Sequence, residues 1–311
     1  MSVPPHSILD EGTDLLWKQF GDIVRDMYWT SDDNTVLDLT PILPTTRCVF
    51  ARKEDDGSFL GCVVWNEYDE MAFIGFYILH PSVRGCGFGL KIWQRAIDRI
   101  KPTKKIIGLR AVPEMAPKYA SRDTPVEISR MRKFDIPFSQ LLEVCKKYPT
   151  AKGTLKMIGE LTQEQKIDLL RFDKEVTGRD RSDFLIPYLK CDRTEGSVLL
   201  NEEGKVIAVA SVTSTMFHRD NLFKLAPVYA SSMEEFATLT KPLIDFCQKY
   251  SPESVILIHT LTGTVGEKEL EPQLGSPQAK VTVTLFSEKI NDTLDTRKCF
   301  LPHNNSCHFD G

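Results

Sequence analysis

The sequence predicts an α/β protein in which mixed sheets are flanked by helices, organised as two tandem units. Three observations carry this reading. The chain has 311 residues, too long for one ordinary domain and suited to two. Strand-like and helix-like stretches follow the same order in its two halves. The landmarks of that order keep a nearly constant offset: the turn glycines Gly57 and Gly204 lie 147 positions apart, and the strand-ending prolines Pro81 and Pro227 lie 146 apart.

The first unit begins with Asp14 to Asp26, where Leu15, Leu16, Phe20, Ile23 and Val24 recur at helical spacing. Arg47 to Lys53 and Phe59 to Trp65 read as strands joined by the hairpin turn Asp55-Asp56-Gly57. Ala72 to Leu79 is a third, almost wholly apolar strand. Gly85 to Ile100 is a helix with Leu90, Ile92, Trp93, Ala96 and Ile97 on its buried side, and Lys105 to Val112 is a fourth strand. In the second unit Leu161 to Val176 is helical. Ser197 to Leu200 and Val206 to Thr213 are strands around Glu202-Glu203-Gly204, and Leu222 to Ala226 is another. Ser232 to Tyr250 is a helix opened by a Ser-x-x-Glu capping box at Ser232 and Glu235. Val255 to Leu261 and Val281 to Phe286 close the pattern. The polar, breaker-rich stretch Pro149 to Thr154 divides the chain into 1–150 and 151–311.

Composition bounds the partners. At 41% hydrophobic and 26% charged residues, the chain has the balance of a soluble globular protein. Its 39 Lys plus Arg against 43 Asp plus Glu leave a net charge of −4, which argues against nucleic-acid binding through bulk charge. No apolar run approaches the roughly 20 residues a membrane helix needs. The start MSVPPHSILDEG has no basic region followed by an apolar block, so it does not read as a secretory signal. The expectation is a cytoplasmic protein with neither membrane nor nucleic-acid partner. The eight cysteines contain no C-x-x-C pair and read as buried small hydrophobes in a reducing compartment. The cluster Cys299, His303, Cys307 and His308 lacks the tight ligand pairs of a zinc site, so no metal is expected and the segment reads as a frayed polar tail.

The informative segment runs from Tyr77 to Leu90, YILHPSVRGCGFGL. A strand ends at a proline, passes through a Gly-rich turn and opens a helix, whose unpaired N–H groups and partial positive charge form an anion site. Gly85, Gly87 and Gly89 keep side chains out of the way of a pyrophosphate, and Arg84 adds a fixed cation. The spacing G-x-G-x-G is not the dinucleotide fingerprint G-x-G-x-x-G, and no Gly-Lys-Ser/Thr follows as a P-loop requires. A plain tight turn or a generic nucleotide site are the alternatives.

Arg84-x-x-Gly87-x-Gly89 after Leu79-His80-Pro81 resembles the R/Q-x-x-G-x-G/A motif of the GNAT superfamily of acyl-CoA-dependent N-acyltransferases. The resemblance covers about residues 10 to 135, and the second half by architecture. Phe172 to Leu185, FDKEVTGRDRSDFL, also looks like the C-terminal module of some tandem GNAT proteins. It implies two GNAT-like units, each a mostly antiparallel mixed sheet with a splayed central strand pair. It further implies that acetyl-CoA or another acyl-CoA lays its pyrophosphate on Gly85, Cys86, Gly87, Phe88, Gly89 and Leu90, with Cys86 inert. Pantetheine would lie along Tyr77, Ile78 and Leu79, in the splay beside Lys105 to Val112. A backbone N–H near Tyr77 or Ile78 would polarise the thioester, and the amine of a small molecule or amino acid would attack directly in a ternary complex. Tyr119 stands about where family members carry the tyrosine that protonates the leaving thiolate. The Gly-Phe that follows it in the family's pattern is Asp123-Thr124 here, so Tyr119 is either the acid or a packing residue.

The general base that some members carry early in the motif strand corresponds to Phe73, which cannot serve; Glu67, Asp69, Glu70 and His80 are the nearby alternatives. In the second half, alignment on the prolines puts Ala230, Met233 and Glu235 at the motif positions, so the cradle is gone and one acyl-CoA site per chain is expected. Gly178-Arg179-Asp180-Arg181 could reach the acceptor or be a helix-end charge cluster, and His218-Arg219-Asp220 reads as a turn. The leading function is an N-acyltransferase. The alternative is a non-catalytic acyl-CoA-binding sensor or scaffold.

Overall fold

Thr13 opens the first helix: its hydroxyl accepts from the Leu16 N–H at 3.3 Å, and α1 (Asp14–Asp26) buries Leu16, Phe20 and Val24. Each such side chain withdrawn from water contributes roughly 1.5–3 kcal/mol. The computed structural model describes residues 3–27, 34–215, 221–251, 253–275, 280–291 and 293–303. A short helix α2 (Asn34–Leu39) leads to the first strands. β1 (His6–Leu9), β2 (Thr46–Lys53), β3 (Phe59–Glu67) and β4 (Met71–Leu79) are antiparallel neighbours in that order. Gly57, at φ +70°, turns the β2–β3 connection. α3 (Phe88–Ile100) crosses over to β5 (Ile106–Ala111), which runs parallel to β4.

After α4 (Ala116–Ala120) come β6 (Val126–Pro137) and α5 (Phe138–Lys146). The second half comprises β7 (Thr154–Met157), α6 (Gln163–Thr177), α7 (Ser182–Leu189), β8 (Thr194–Leu200), β9 (Val206–Ser214), β10 (Leu222–Tyr229), α8 (Met233–Gln248), β11 (Val255–Leu261), β12 (Lys280–Phe286) and β13 (Cys299–Leu301). β8, β9 and β10 repeat the antiparallel meander, and β10 and β11 repeat the parallel pair. The tandem, mostly antiparallel mixed architecture read from the sequence is therefore the architecture of the chain.

Strand order joins the halves into one sheet: β1-β2-β3-β4-β5-β12-β6-β11-β10-β9-β8-β7, with β13 on β10. The halves exchange strands at its centre. β12 pairs with β5 of the first half, β6 pairs with β11 of the second, and β6 and β12 pair with each other.

Several elements differ from the sequence reading. α3 starts at Phe88 rather than Gly85, because Gly85 and Gly87 have φ of +78° and +80°, which ends helical geometry there. α6 starts at Gln163, capped by Thr162, rather than at Leu161. β6 and α5 fall between Val112 and Pro149, where the sequence reading assigns no element. The segment read as a frayed tail instead contains β13, with Cys299, Phe300 and Leu301 buried. His303 is also buried, its ring 4.7 Å from Phe184 and 4.5 Å from Tyr188. Cys307, His308 and the 218–220 run lie outside the described residues. Five of the seven described cysteines are buried, but Cys86 is exposed. Burial pushes the Cys48 thiol up to about 11 and that of Cys145 to about 12.

Candidate active site

The site begins with a fault in β4. Val64 of β3 pairs with Phe76 and Trp65 with Ile74, so Gly75 is left over as a bulge. The bulge changes which face each following residue takes. Before it, Ala72 and Ile74 pack with Ile92, Trp93 and Ile97 of α3; after it, Phe76 and Ile78 pack with Leu16, Phe20 and Val24 of α1. Pairing of β4 with β5 runs only from Met71↔Ile106 to Ile74↔Leu109. Beyond that point a cavity of about 720 Å³ lies between the strands, lined by Tyr77, Ile78 and Leu79 on one side and by Arg110, Ala111 and Val112 on the other.

At the end of β4 the chain makes a short helical turn, Pro81–Val83, and then the Gly-rich loop. Arg84 is exposed, and its Nε donates to the Leu79 carbonyl at 3.0 Å, fastening the loop to the strand. The Cys86 thiol donates to the Val83 carbonyl at 3.0 Å. A Cβ on Gly85 or Gly87 would meet nothing within 4 Å; their left-handed backbone is what requires glycine. Gly89 has a different reason: a Cβ there would run into the Tyr77 hydroxyl and the Leu79 side chain. The N-terminus of α3 has no side-chain cap and no acidic residue in its first turn, so its N–H groups and positive end face outward for an anion. A bound pyrophosphate fits this cradle, and a pantetheine arm fits the gap beside β4.

Tyr119, on α4, lines the same cavity. Its ring lies 5.4 Å from Trp93, whose ring lies 5.3 Å from Tyr77. Burial, reinforced by Tyr77, pushes the Tyr119 phenol up to about 12. Burial also raises the Tyr77 phenol. Both hydroxyls therefore keep their protons throughout the neutral range.

The candidate bases lie elsewhere. Glu67 accepts from Trp65 Nε1 at 3.1 Å and pairs with Arg47 at 3.7 Å. Glu70 accepts from Arg179 Nε at 3.1 Å. Asp69, with Glu67, Glu70, Arg179, Asp180 and Arg181, lines a second cavity of about 570 Å³. There Arg181 holds Asp173 in a buried two-point pair, and Asp180 accepts from the Ser182 N–H at 3.1 Å. The ring of His80 faces Ser82, with Nδ1 2.7 Å from the hydroxyl and 3.3 Å from the N–H. Phe73 is buried against Met71 and Phe286. No Asp or Glu lines the larger cavity among the described residues.

What the sequence reading missed comes from distant strands. Lys133 of β6, His259 of β11, and Lys280, Val281 and Thr282 of β12 line the larger cavity. The visible signal was a histidine in the mostly apolar strand VILIHTL. Its imidazole is held neutral, well below the usual histidine range, first by burial and then by Lys224, Lys133 and Arg110.

Among the described residues of the second half, the corresponding helix start and strand gap are both filled. Ser232 Oγ accepts from the Glu235 N–H at 3.3 Å and the Glu235 carboxylate accepts from the Ser231 N–H at 2.6 Å, closing the start of α8. β10 and β11 pair only from Leu222↔Val255 to Lys224↔Leu257. Past that point β13 pairs with β10 at Val228↔Leu301 and Tyr229↔Cys299, and the Ala230 N–H donates to the Lys298 carbonyl at 2.8 Å.

The chain and its fold have counterparts among known proteins. Residues 10–113 match the acetyltransferase (GNAT) family. An uncharacterised protein of Caenorhabditis elegans is 36% identical over 315 residues, covering all of both chains. Holothin acyltransferase of a Pseudoalteromonas strain is 24% identical over 192 residues, 59% of each chain. A putative acetyltransferase from Pyrococcus horikoshii superposes with a TM-score of 0.71 at 14% identity, covering 99% of this chain and 98% of its own. A tandem GNAT protein from the clavulanic acid pathway superposes with a TM-score of 0.65 at 12% identity, covering 92% and 99%.

Proposed function

The chain belongs to the GNAT family of acyltransferases, whose cosubstrate is an acyl-CoA, and we propose that it transfers an acetyl group from acetyl-CoA to the amine of a small molecule or amino acid. The observation that carries this is the continuity of the uncapped α3 N-terminus, its Gly85–Gly87 turn and the cavity opened by the Gly75 bulge. Bound acetyl-CoA supplies an activated acyl carbon. The N–H groups from Gly85 to Leu90, with Arg84, hold the pyrophosphate. The edge of β4 from Tyr77 to Leu79 holds the pantetheine arm, and a backbone N–H near Tyr77 or Ile78 polarises the carbonyl. The nitrogen of the neutral amine bonds to the acyl carbon as the carbon–sulfur bond breaks, and the proton the nitrogen then sheds passes to water, from which Tyr119 is reprotonated after its own transfer. Tyr119, still protonated at neutral pH, gives its proton to the departing thiolate.

We assign this site to residues 1–150. Residues 151–311 then contribute the far wall of the cavity and, through β13, close their own strand gap. The free thiols fit a reducing, cytoplasmic compartment. Among the described residues no helix is long and apolar enough to cross a membrane.

A second reading, an acyl-CoA-binding sensor, is favoured by one observation: among the described residues no carboxylate lines the cavity to deprotonate an incoming ammonium. Incubation with acetyl-CoA, longer acyl-CoAs and a panel of amines, followed by thiol release, separates the two. Acceptor-dependent release supports the transferase. Tight acyl-CoA binding with no release across the panel supports the sensor.

A further inference from the structure

The inner end of the larger cavity is a polar face that neither half supplies alone. β11 sets His259 opposite Lys133 of β6, and β12 sets Lys280 opposite the same Lys133. Directly opposed residues on neighbouring strands share a sheet face. Thr282 follows on that face opposite Met131, and Thr284 stands opposite Arg110 of β5. His259, Lys133, Lys280, Thr282 and Arg110 all line the cavity.

Two of these side chains hold polar atoms with nothing to bond. His259 is 1% exposed, and neither of its ring nitrogens has a hydrogen-bond partner. The Thr282 hydroxyl is buried without a partner as well. A buried polar group left unsatisfied forfeits the hydrogen bonds it made in water, a loss that a ligand in the cavity removes. The surrounding charge is cationic. Arg110, Lys133 and Lys280 are in the lining and Lys224 stands close enough to act on His259. Asp135, 3.7 Å from Lys133, offsets part of this charge from a half-exposed position.

We propose that this face is the acceptor subsite and that it reads a carboxylate, so that the acceptor is an amine of the amino-acid class. Its role as an acceptor site rests on the acyltransferase reading given above. Lys133, Lys280 and Arg110 attract the carboxylate and disfavour an amine that carries only positive charge. His259 and Thr282 supply the short-range hydrogen bonds that fix its orientation.

The experiment compares free amino acids with their carboxamides, which keep the amine and the shape but lose the negative charge. Acceptor-dependent thiol release gives kcat/KM for each pair, and calorimetry in the presence of CoA gives the binding of the same pairs. The acids should exceed the amides at least about tenfold, the equivalent of about 1.4 kcal/mol. Lys133→Met should reduce that ratio to about threefold or less, and the exposed Lys280→Ala should lower it in a chain whose core is untouched. Amides equal to or better than acids in both assays, or no binding of either, overturns the carboxylate subsite. Acids bound in preference to amides, with no thiol release from either, supports the subsite and overturns the transferase reading.

Discussion

Tyr119 lies against Trp93, ring centroids 5.4 Å apart, at the wall of the cavity beside β4. The same packing that buries the phenol raises it to about 12, so its proton stays in place throughout the neutral range. Tyr119→Phe keeps the ring against Trp93 and removes only the donor. Binding of acyl-CoA should change little, because a proton donated to the leaving group acts in the transition state. The turnover number should fall by roughly 10- to 1000-fold. Steady-state kinetics of the folded variant checks this, and a rate within about twofold of wild type would reduce Tyr119 to a packing residue. In the wild type, no loss of activity attributable to Tyr119 should appear near pH 10, where a free phenol titrates.

Gly87→Glu acts on the cradle in two ways. It forces a side chain onto a φ of +80°, and it sets a carboxylate at the positive end of α3. Calorimetry should show at least about tenfold weaker CoA binding, or about 1.4 kcal/mol. Unchanged affinity in a folded variant would remove the pyrophosphate assignment.

Gly89→Ala should act on packing. The new methyl meets the Tyr77 hydroxyl and Leu79, and crowding of this kind costs about 1–3 kcal/mol. Thermal melting should register the loss. A variant as stable as wild type would mean that Tyr77 moves aside freely.

Calorimetry should find one CoA site per chain. In the second half the helix start is closed by Ser232 and Glu235, and the strand gap takes β13. A stoichiometry of two would contradict the asymmetry.

His259 should make stability fall on the acid side. Its folded-state pKa is depressed below 6.5 by burial and neighbouring cations, so below pH 6.5 the unfolded chain takes up a proton that the folded chain refuses. Stability present above pH 6.5 is then lost as pH falls, by up to about 1.4 kcal/mol per pH unit, until the folded-state pKa is reached. His259→Gln should lack this part of the slope between pH 6.5 and 5 in thermal melts. Identical slopes in the two proteins would refute it.

The sequence by itself determined what short stretches of chain decide. Left-handed glycines at Gly57, Gly85 and Gly87 fix turns within a few residues, and the apolar period of α1 and α3 fixes which face each helix buries. The uncapped helix start after Arg84 was legible for the same reason. Tertiary structure decided the centre of the sheet. β6 alternates at its two ends, through Val126 and Ile128 and through Phe134 and Ile136, but Arg130 and Arg132 break the pattern between them, and the carboxylates that pair with Arg132, Glu267 and Glu271, come from the other half of the chain. Its partners, β11 and β12, come from more than a hundred residues further along the chain. No local period encodes such a pairing: it forms only when the two halves fold together and exchange strands. That exchange brings Lys133, His259 and Lys280 into one row, while within the second half β13 joins β10 at the gap that in the first half stays open.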